Sequence, residues 1–352
     1  MFTKSPTGTI AFCLLVISLF LTPELLMAQS GGNAASFTRM GFGSRGMGMG
    51  NAMGTVTSEG IYAHYNPALA AWISGNQLDI GSSLMSFDRS LHTVNATFAL
   101  PPSAGLNVGL LNANVSQIDG RSPSGYHTEM LSTHEYQLFA AFGIAFTERV
   151  RFGAAVKLHL ANHHSDISNS TGAGFDLGMI LQPTDHWRVG IAVQDLLSKY
   201  SWNTTDLYGS RGGTSRSDEI PVRFRFSSSY YFEGVGLLLS SEYEVQKQEM
   251  IVLTEEVSES TMPPSTIMVS QNKTSYGHLF RMGAAWYPHE RITFRAGWEV
   301  LDLDYIEETH KLSFGTSVHL PYDALRPSVD YAYVREPMGI AGIHSISLRL
   351  HF

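Results

Sequence analysis

The stretch Arg39 to Gly46, RMGFGSRG, carries the spacing G-x-G-x-x-G at Gly41, Gly43 and Gly46. In a nucleotide-binding protein, such glycines make a tight turn and let backbone approach a pyrophosphate at a helix N-terminus. The spacing means this only where a strand precedes it and a helix follows. No strand period precedes Gly41, so no cofactor is expected and no cofactor-binding residue is assigned. The histidines of HLANHH, His159, His163 and His164, are a second group with possible chemistry. On an extended chain, residues four apart lie about 13 Å from each other, too far to share an ion. Metal binding is therefore not expected. Carboxylates gather at Asp302, Asp304, Glu307 and Glu308, and again at Glu255, Glu256 and Glu259. Such groups either bind calcium or keep a loop solvated, and solvation is the expectation here. No Ser-His-Asp constellation stands out, so no catalytic residue is assigned and an enzyme is not expected. A net charge of −8 argues against a nucleic-acid partner.

If these residues do no chemistry, the elements that carry them become the more informative signal. The last nine residues, HSISLRLHF, alternate without a break. Ile346, Leu348, Leu350 and Phe352 fall on one face, and Ser345, Ser347, Arg349 and His351 on the other. Side chains of a strand point to opposite faces with period two. Ending on Leu348, Leu350 and Phe352, the segment resembles the signal that outer-membrane barrels present to their insertion machinery. The pattern recurs in RITFRAGWEV (291–300), PVRFRFSSSYYF (221–232), VRFGAAVKLHL (150–160) and KLSFGTSVHL (311–320). About fourteen such segments fall near 76–87, 91–101, 105–117, 134–147, 150–162, 173–183, 186–195, 221–232, 234–246, 276–287, 291–302, 309–320, 326–336 and 342–352. Most exceed the five or six residues usual for soluble strands and suit a tilted crossing of a bilayer. Tight turns alternate with longer connections at 118–133, 163–172, 196–220 and 247–275, the asymmetry expected of periplasmic turns and extracellular loops.

Charge placement decides which face is inside. Arg223, Arg225, Arg291, Arg295, Glu299 and Arg349, with Lys157, Glu242 and Glu244, all occupy the polar face of their segments. An Arg or Lys on the lipid face at mid-depth costs about 2–4 kcal/mol, so the whole set is expected to line a lumen. Within lipid every backbone group must be paired internally, which leaves helices or closed barrels. After Leu21 the chain has no apolar run long enough for a spanning helix. The expected fold is all-β: a transmembrane antiparallel barrel of about fourteen strands over 76–352. Aromatic residues near segment ends, among them Trp187, Trp202, Trp286, Trp298, Tyr230, Tyr287 and Tyr333, are expected in interface girdles. Residues 1–28 read as a leader for export, with a twelve-residue apolar run from Ile10 to Leu21 that includes the single cysteine, Cys13. The expected location is the outer membrane of a Gram-negative bacterium, with its lipid as a partner.

Residues 29–75 have neither period and are rich in Gly, Met and Ala, which allow close backbone approach. Asn66 followed by Pro67 reads as an N-cap and first helical residue opening the short helix PALAAW. The segment is expected to be a hatch containing short helices. The run GSRGMGMGNAMGTVTSEGIYAHYNPALAAW, ahead of fourteen strands, resembles the PorV/PorQ group of FadL-like outer-membrane proteins. The matching positions are Gly46, Met47, Gly48, Gly50, Tyr62, Tyr65, Asn66, Pro67 and Ala68. The resemblance implies a hatch filling the periplasmic half of the lumen. It also implies one of two functions. The first is a PorV-type role in type IX-like secretion, with secreted proteins or a surface attachment complex as partners, docking at loops 196–220 and 247–275. The alternative is a FadL-like channel for a hydrophobic small molecule, with Phe139 and Tyr231 as inward aromatics.

Overall fold

The computed structural model describes residues 34–164, 168–203, 205, 215–258, 265–303, 309–322, 325–337 and 341–352. The expected leader at 1–28, with Cys13, lies outside them, as do Asp304, Glu307, Glu308 and Glu259. The strands are β1 (Gln77–Met85), β2 (Arg89–Leu100), β3 (Ala104–Arg121), β4 (His127–Ala145), β5 (Val150–Asn162), β6 (Ser170–Thr184), β7 (Trp187–Leu196) and β8 (Lys199–Asn203). They continue with β9 (Ser215–Glu219), β10 (Val222–Phe232), β11 (Leu237–Ser258), β12 (Ser265–His289), β13 (Ile292–Val300), β14 (His310–His319), β15 (Ser328–Arg335) and β16 (Gly342–His351). Each of β1–β7 and β10–β16 pairs antiparallel with its neighbours, and β1 pairs with β16, so fourteen strands close a barrel. β8 and β9 form a hairpin in the connection from β7 to β10, joined to β6 at the pair Thr171–Ser201.

Alternation sets the two faces of this wall. Along β10, Phe224, Phe226, Tyr230 and Phe232 are exposed on the outside, whereas Arg223, Arg225, Ser227 and Ser229 are buried inside. At the C-terminus, Ile346, Leu348 and Phe352 are exposed, Leu350 is half-buried and Arg349 is buried. The Phe352 N–H donates to the Asn76 carbonyl at 3.0 Å, tying the chain end to the start of β1. The outer face is an apolar belt, as lipid requires. A charge placed there should be costly: Phe226→Arg is expected to lower stability by about 2–4 kcal/mol. Denaturant unfolding in lipid vesicles measures it, and a change under about 1 kcal/mol would mean that Phe226 does not face hydrocarbon.

Several sequence expectations need correction. Arg291 does not line the lumen; it is exposed in the turn between β12 and β13, one residue before the alternation starts. The stretches 118–133 and 247–275 are largely strand, not loop. β11 and β12 pair without interruption from Leu237–Trp286 to Ser258–Ser265. At about 3.3 Å per residue, 22 residues carry β11 well past the ~30 Å hydrocarbon layer. Beyond the hydrocarbon no lipid enforces a period of two, and the backbone ladder continues. Asp302 is buried, not solvated, and its carbonyl accepts from Thr309 Oγ1 at 3.0 Å. Tyr287 turns inward to hydrogen-bond Glu59 in place of joining a girdle.

Candidate functional site

Residues 34–75 lie inside the barrel, most of them buried against its wall. Three short helical pieces, at Ser36–Arg39, Gly43–Gly48 and Pro67–Trp72, are joined by irregular backbone. The last of them is a 3-10 helix whose Asn66 side chain accepts from Ala68 N–H at 3.0 Å, with Pro67 at its first position. The glycine spacing that resembled a nucleotide fingerprint has a packing role. A side chain on Gly46 would put its Cβ 2.2 Å from the Tyr65 hydroxyl. That hydroxyl accepts from Phe42 N–H at 2.9 Å and donates to Asn51 Oδ1 at 2.9 Å, which knits the hatch together. Around it, Phe42, Met47, Met49, Met53, Tyr62 and His64 pack on one another and on Phe139 of β4. Tyr231 lies at the edge of this core, against Tyr287.

The barrel accommodates the hatch through two rows of wall glycines. Gly105, Gly143, Gly153 and Gly178 are paired in sequence across β3, β4, β5 and β6. The Pro67–Trp72 helix lies on this row: a Cβ on Gly153 would stand 2.3 Å from Pro67 C and O, and one on Gly178 would stand 2.0 Å from Asn66 Oδ1. On another part of the wall, Gly283 pairs with Gly297, and Gly315 pairs with Ala332. Here the Gly48-Met49-Gly50 backbone fits: a Cβ on Gly297 would be 2.0 Å from Gly50 N, and Gly50 N–H donates to Ser313 Oγ at 3.1 Å. The sequence marked the hatch residues Gly46, Met47, Gly48, Gly50, Asn66, Pro67 and Ala68. It gave no sign of their partners in the wall, because single glycines scattered across seven strands form rows only once the register is known.

The lumen charges divide into three groups. Across β10–β14, Arg225 pairs with Glu244, while Glu242, Arg281, Glu299 and Lys311 stand opposite one another on successive strands. Arg281 reaches Glu242 at 3.0 Å, Glu244 at 2.8 Å and Glu299 at 2.7 Å, and Lys311 holds Glu299 at 3.0 Å. A second group joins Lys157 to Asp176 at 2.7 Å and to Asp195 at 2.9 Å, with Arg223 on the far side of Asp195. The charged residues of both groups belong to the barrel wall and its connections, and the hatch touches the first group where Asn51 Nδ2 donates to Glu299 at 3.2 Å and Arg225 donates to the Tyr65 carbonyl at 3.4 Å. The third links hatch to wall near the short-turn rim: Arg45 to Asp330 at 2.9 Å, and Glu59 to Arg295. Beside it, Arg349 and the Tyr62 hydroxyl both reach Asp79, at 2.8 and 2.7 Å. A polar cavity of about 720 Å³ opens next to this latch, lined by Arg45, Ser58, Glu59, Tyr287, Thr293 and His319.

On the outside of the barrel, an apolar groove of about 530 Å³ runs over Phe142, Phe152, Leu177, Met179 and Ile191, with Gly153 and Gly178 in its floor. Its inner face is the glycine row beneath the Pro67–Trp72 helix. One layer of backbone separates bilayer from hatch at this point.

No protein-family model matches the chain, and no curated protein matches it. Solved structures do share its fold. The Pseudomonas putida toluene transporter TodX aligns with 88% of this chain and 97% of its own at 13% identity, with a TM-score of 0.57. The monoaromatic hydrocarbon channel CymD aligns with 89% of this chain and 97% of its own at 14% identity and a TM-score of 0.57. A Pseudomonas aeruginosa FadL homologue aligns with 89% and 98% at 13% identity and a TM-score of 0.58. Likeness at this level of identity establishes the architecture, a closed fourteen-stranded antiparallel barrel of the kind found in bacterial outer membranes.

Proposed function

We propose that the chain is an outer-membrane channel for small hydrophobic molecules, closed at rest by its N-terminal hatch. The observation that carries this reading is the apolar groove on the lipid side of the glycine row. It offers a hydrophobic solute a surface continuous with the bilayer, one backbone layer from the hatch. The latch supports it as well. Breaking Arg45–Asp330 and Glu59–Arg295 removes the ion pairs between hatch and wall among the described residues, while the wall ladders keep their own partners. The names of the solved relatives, a toluene transporter and a monoaromatic hydrocarbon channel, point to the same cargo class. Exported by its leader, the chain would sit in the outer membrane with its long hairpins outside.

A second reading, a PorV-type part in secretion and surface attachment, draws on the projecting hairpins β3–β4 and β11–β12, which could seat a protein partner. It accounts for neither the groove nor the latch. The experiment uses Ser44 and Ser345, whose hydroxyl oxygens lie 2.9 Å apart between hatch and β16. Cysteines at both positions are close enough to bridge. The oxidised Ser44→Cys/Ser345→Cys protein in liposomes should pass toluene at least ten-fold more slowly than the reduced one. Equal flux in the two states would reject gating by the hatch. No flux above protein-free liposomes in either state would reject the channel.

A further inference from the structure

We infer that the seam between hatch and wall carries an oxyanion site at the short-turn rim, built by Arg151, Arg188 and Trp72 and suited to a phosphate group. Charge pairing singles these residues out. Among the described residues, each buried cation of the wall, from Lys157 on β5 to Arg349 on β16, holds a carboxylate. Arg151 and Arg188 also face inward, since Phe152 and Ile191 expose the opposite face of their strands to lipid. Yet neither forms an ion pair with a described residue, and the Nε of each is buried without a hydrogen-bond partner. Arg151 keeps one bond, from Nη1 to the Glu148 carbonyl at 3.3 Å. The carboxylates nearest in sequence, those of Glu148 and Asp185, are exposed in the turns. The two arginines meet at one side chain of the hatch. Arg151 is the second residue of β5 and Arg188 the second of β7, so both stand at the same rim. Between them β6 presents buried Ile180, opposite Arg151 on one side and Gly190 on the other. Trp72 ends the Pro67–Trp72 helix here, with its ring centre 3.8 Å from Arg151 Cζ and 5.9 Å from Arg188 Cζ.

The chemistry of the set selects its ligand. Guanidinium and indole N–H groups donate and cannot accept, so only an acceptor completes them. Each arginine is attracted to the ring, but two cations at one ring also repel each other. An anion between them relieves that repulsion, and two unmatched charges favour a divalent anion over a monovalent one. Arginine binds phosphate through paired N–H···O bonds, and a phosphate monoester carries about two negative charges at neutral pH. A carboxylate would neutralise only one of the two. All three side chains are half-buried, and the outer nitrogens of both arginines stay accessible at the mouth of the barrel. No enclosed pocket is therefore required. A phosphate held there would join the hatch helix to two wall strands beside its seat on Gly153 and Gly178. Free phosphate and a phosphomonoester headgroup of the adjoining lipid leaflet offer the same oxyanion.

The anion's effect on gating rests on the channel reading, but its binding does not. The test is calorimetric titration of the purified full chain in phosphate-free detergent at constant ionic strength. Inorganic phosphate, acetate and dihexanoyl phosphatidic acid are the probes. Phosphate should bind about ten-fold more tightly than acetate, and Arg151→Met and Arg188→Met should each weaken it by about ten-fold. Arg188→Lys, which keeps the charge and loses the fork, should fall between parent and Arg188→Met. Where a methionine variant fails to insert, the lysine variant makes the comparison. With phosphate at about ten times its Kd, protease cleavage of the 34–75 segment should slow about ten-fold in the parent and not in Arg188→Met. Tighter binding of phosphatidic acid than of phosphate identifies a lipid headgroup as the source, and the reverse order identifies the free ion. Phosphate no tighter than acetate, or an unchanged affinity in Arg188→Met, overturns the proposal and leaves the arginines as clamps on Trp72. Binding with no change in cleavage overturns the tie between hatch and wall. The two proposals fail separately. Toluene flux without phosphate binding removes the site and keeps the channel, whereas phosphate binding without flux does the opposite.

Discussion

Replacing Gly153 with valine should drive the Pro67–Trp72 helix off the barrel wall and open the lumen. The new Cβ would lie 2.3 Å from Pro67 C and O and 2.4 Å from Ala68 N, all backbone atoms that cannot rotate aside. The wall cannot yield either, since Gly153 is paired to Gly143 on one strand and Gly178 on the other. Overpacking of a tight interior costs about 1–3 kcal/mol and occasionally more. Overlap between two fixed backbones falls at the upper end. The easier response is for the hatch to leave its seat: among the described residues its ion pairs with the wall are Arg45–Asp330 and Glu59–Arg295, and its other ties to the wall are hydrogen bonds such as Tyr62–Asp79 and Asn51–Glu299. Planar-bilayer recordings should show conductance several-fold above the parent, and protease should cut the 34–75 segment faster. Gly75→Val is the control, as nothing lies within 4 Å of a Cβ there. A Gly153→Val protein as closed and resistant as that control would refute the seating of the hatch on this row.

The contrast between wall and hatch explains what could be read from sequence. Alternation along β5 and β10 gives strands whose limits the structure nearly reproduces, because lipid outside and ions inside enforce one period throughout. The same logic placed Arg223, Arg225, Arg295, Glu299 and Arg349 on the polar face, and all five are buried. It misplaced Arg291, since a turn residue keeps the phase of a strand without its environment. The extensions of β11 and β12 were invisible for a related reason: outside the membrane a ribbon pairs its backbone with no lipid to impose a period on its side chains. Asn66-Pro67 could be recognised as a helix start from local chemistry. The seat of that helix could not, because Gly105, Gly143, Gly153 and Gly178 become a row only through register.

Arg281→Met should have the opposite signature, weakening the barrel without opening it. Arg281 is the only cation touching Glu242, Glu244 and Glu299 together among the described residues, and its side chain is 3% exposed. Its removal leaves three buried carboxylates facing two cations, Arg225 and Lys311. Breaking a buried pair in this way costs about 3–5 kcal/mol, because the stranded charge has lost its water as well as its partner. Urea unfolding in detergent should show that loss. Adding Glu242→Gln should recover more than ~1 kcal/mol of it by rebalancing two carboxylates with two cations. The exposed Arg121–Asp119 pair provides the scale: Arg121→Met should change stability by less than ~1 kcal/mol. A loss that small at Arg281 would mean the ladder is solvated and the lumen wet. With a dry ladder, the hatch keeps Arg45–Asp330 and Glu59–Arg295, and conductance stays at the parent level. Gly153→Val would then open a stable barrel while Arg281→Met weakens a closed one. That double dissociation requires the ion pairs of the gate to be distinct from those of the wall, even though Asn51 and Tyr65 of the hatch also hydrogen-bond the ladder.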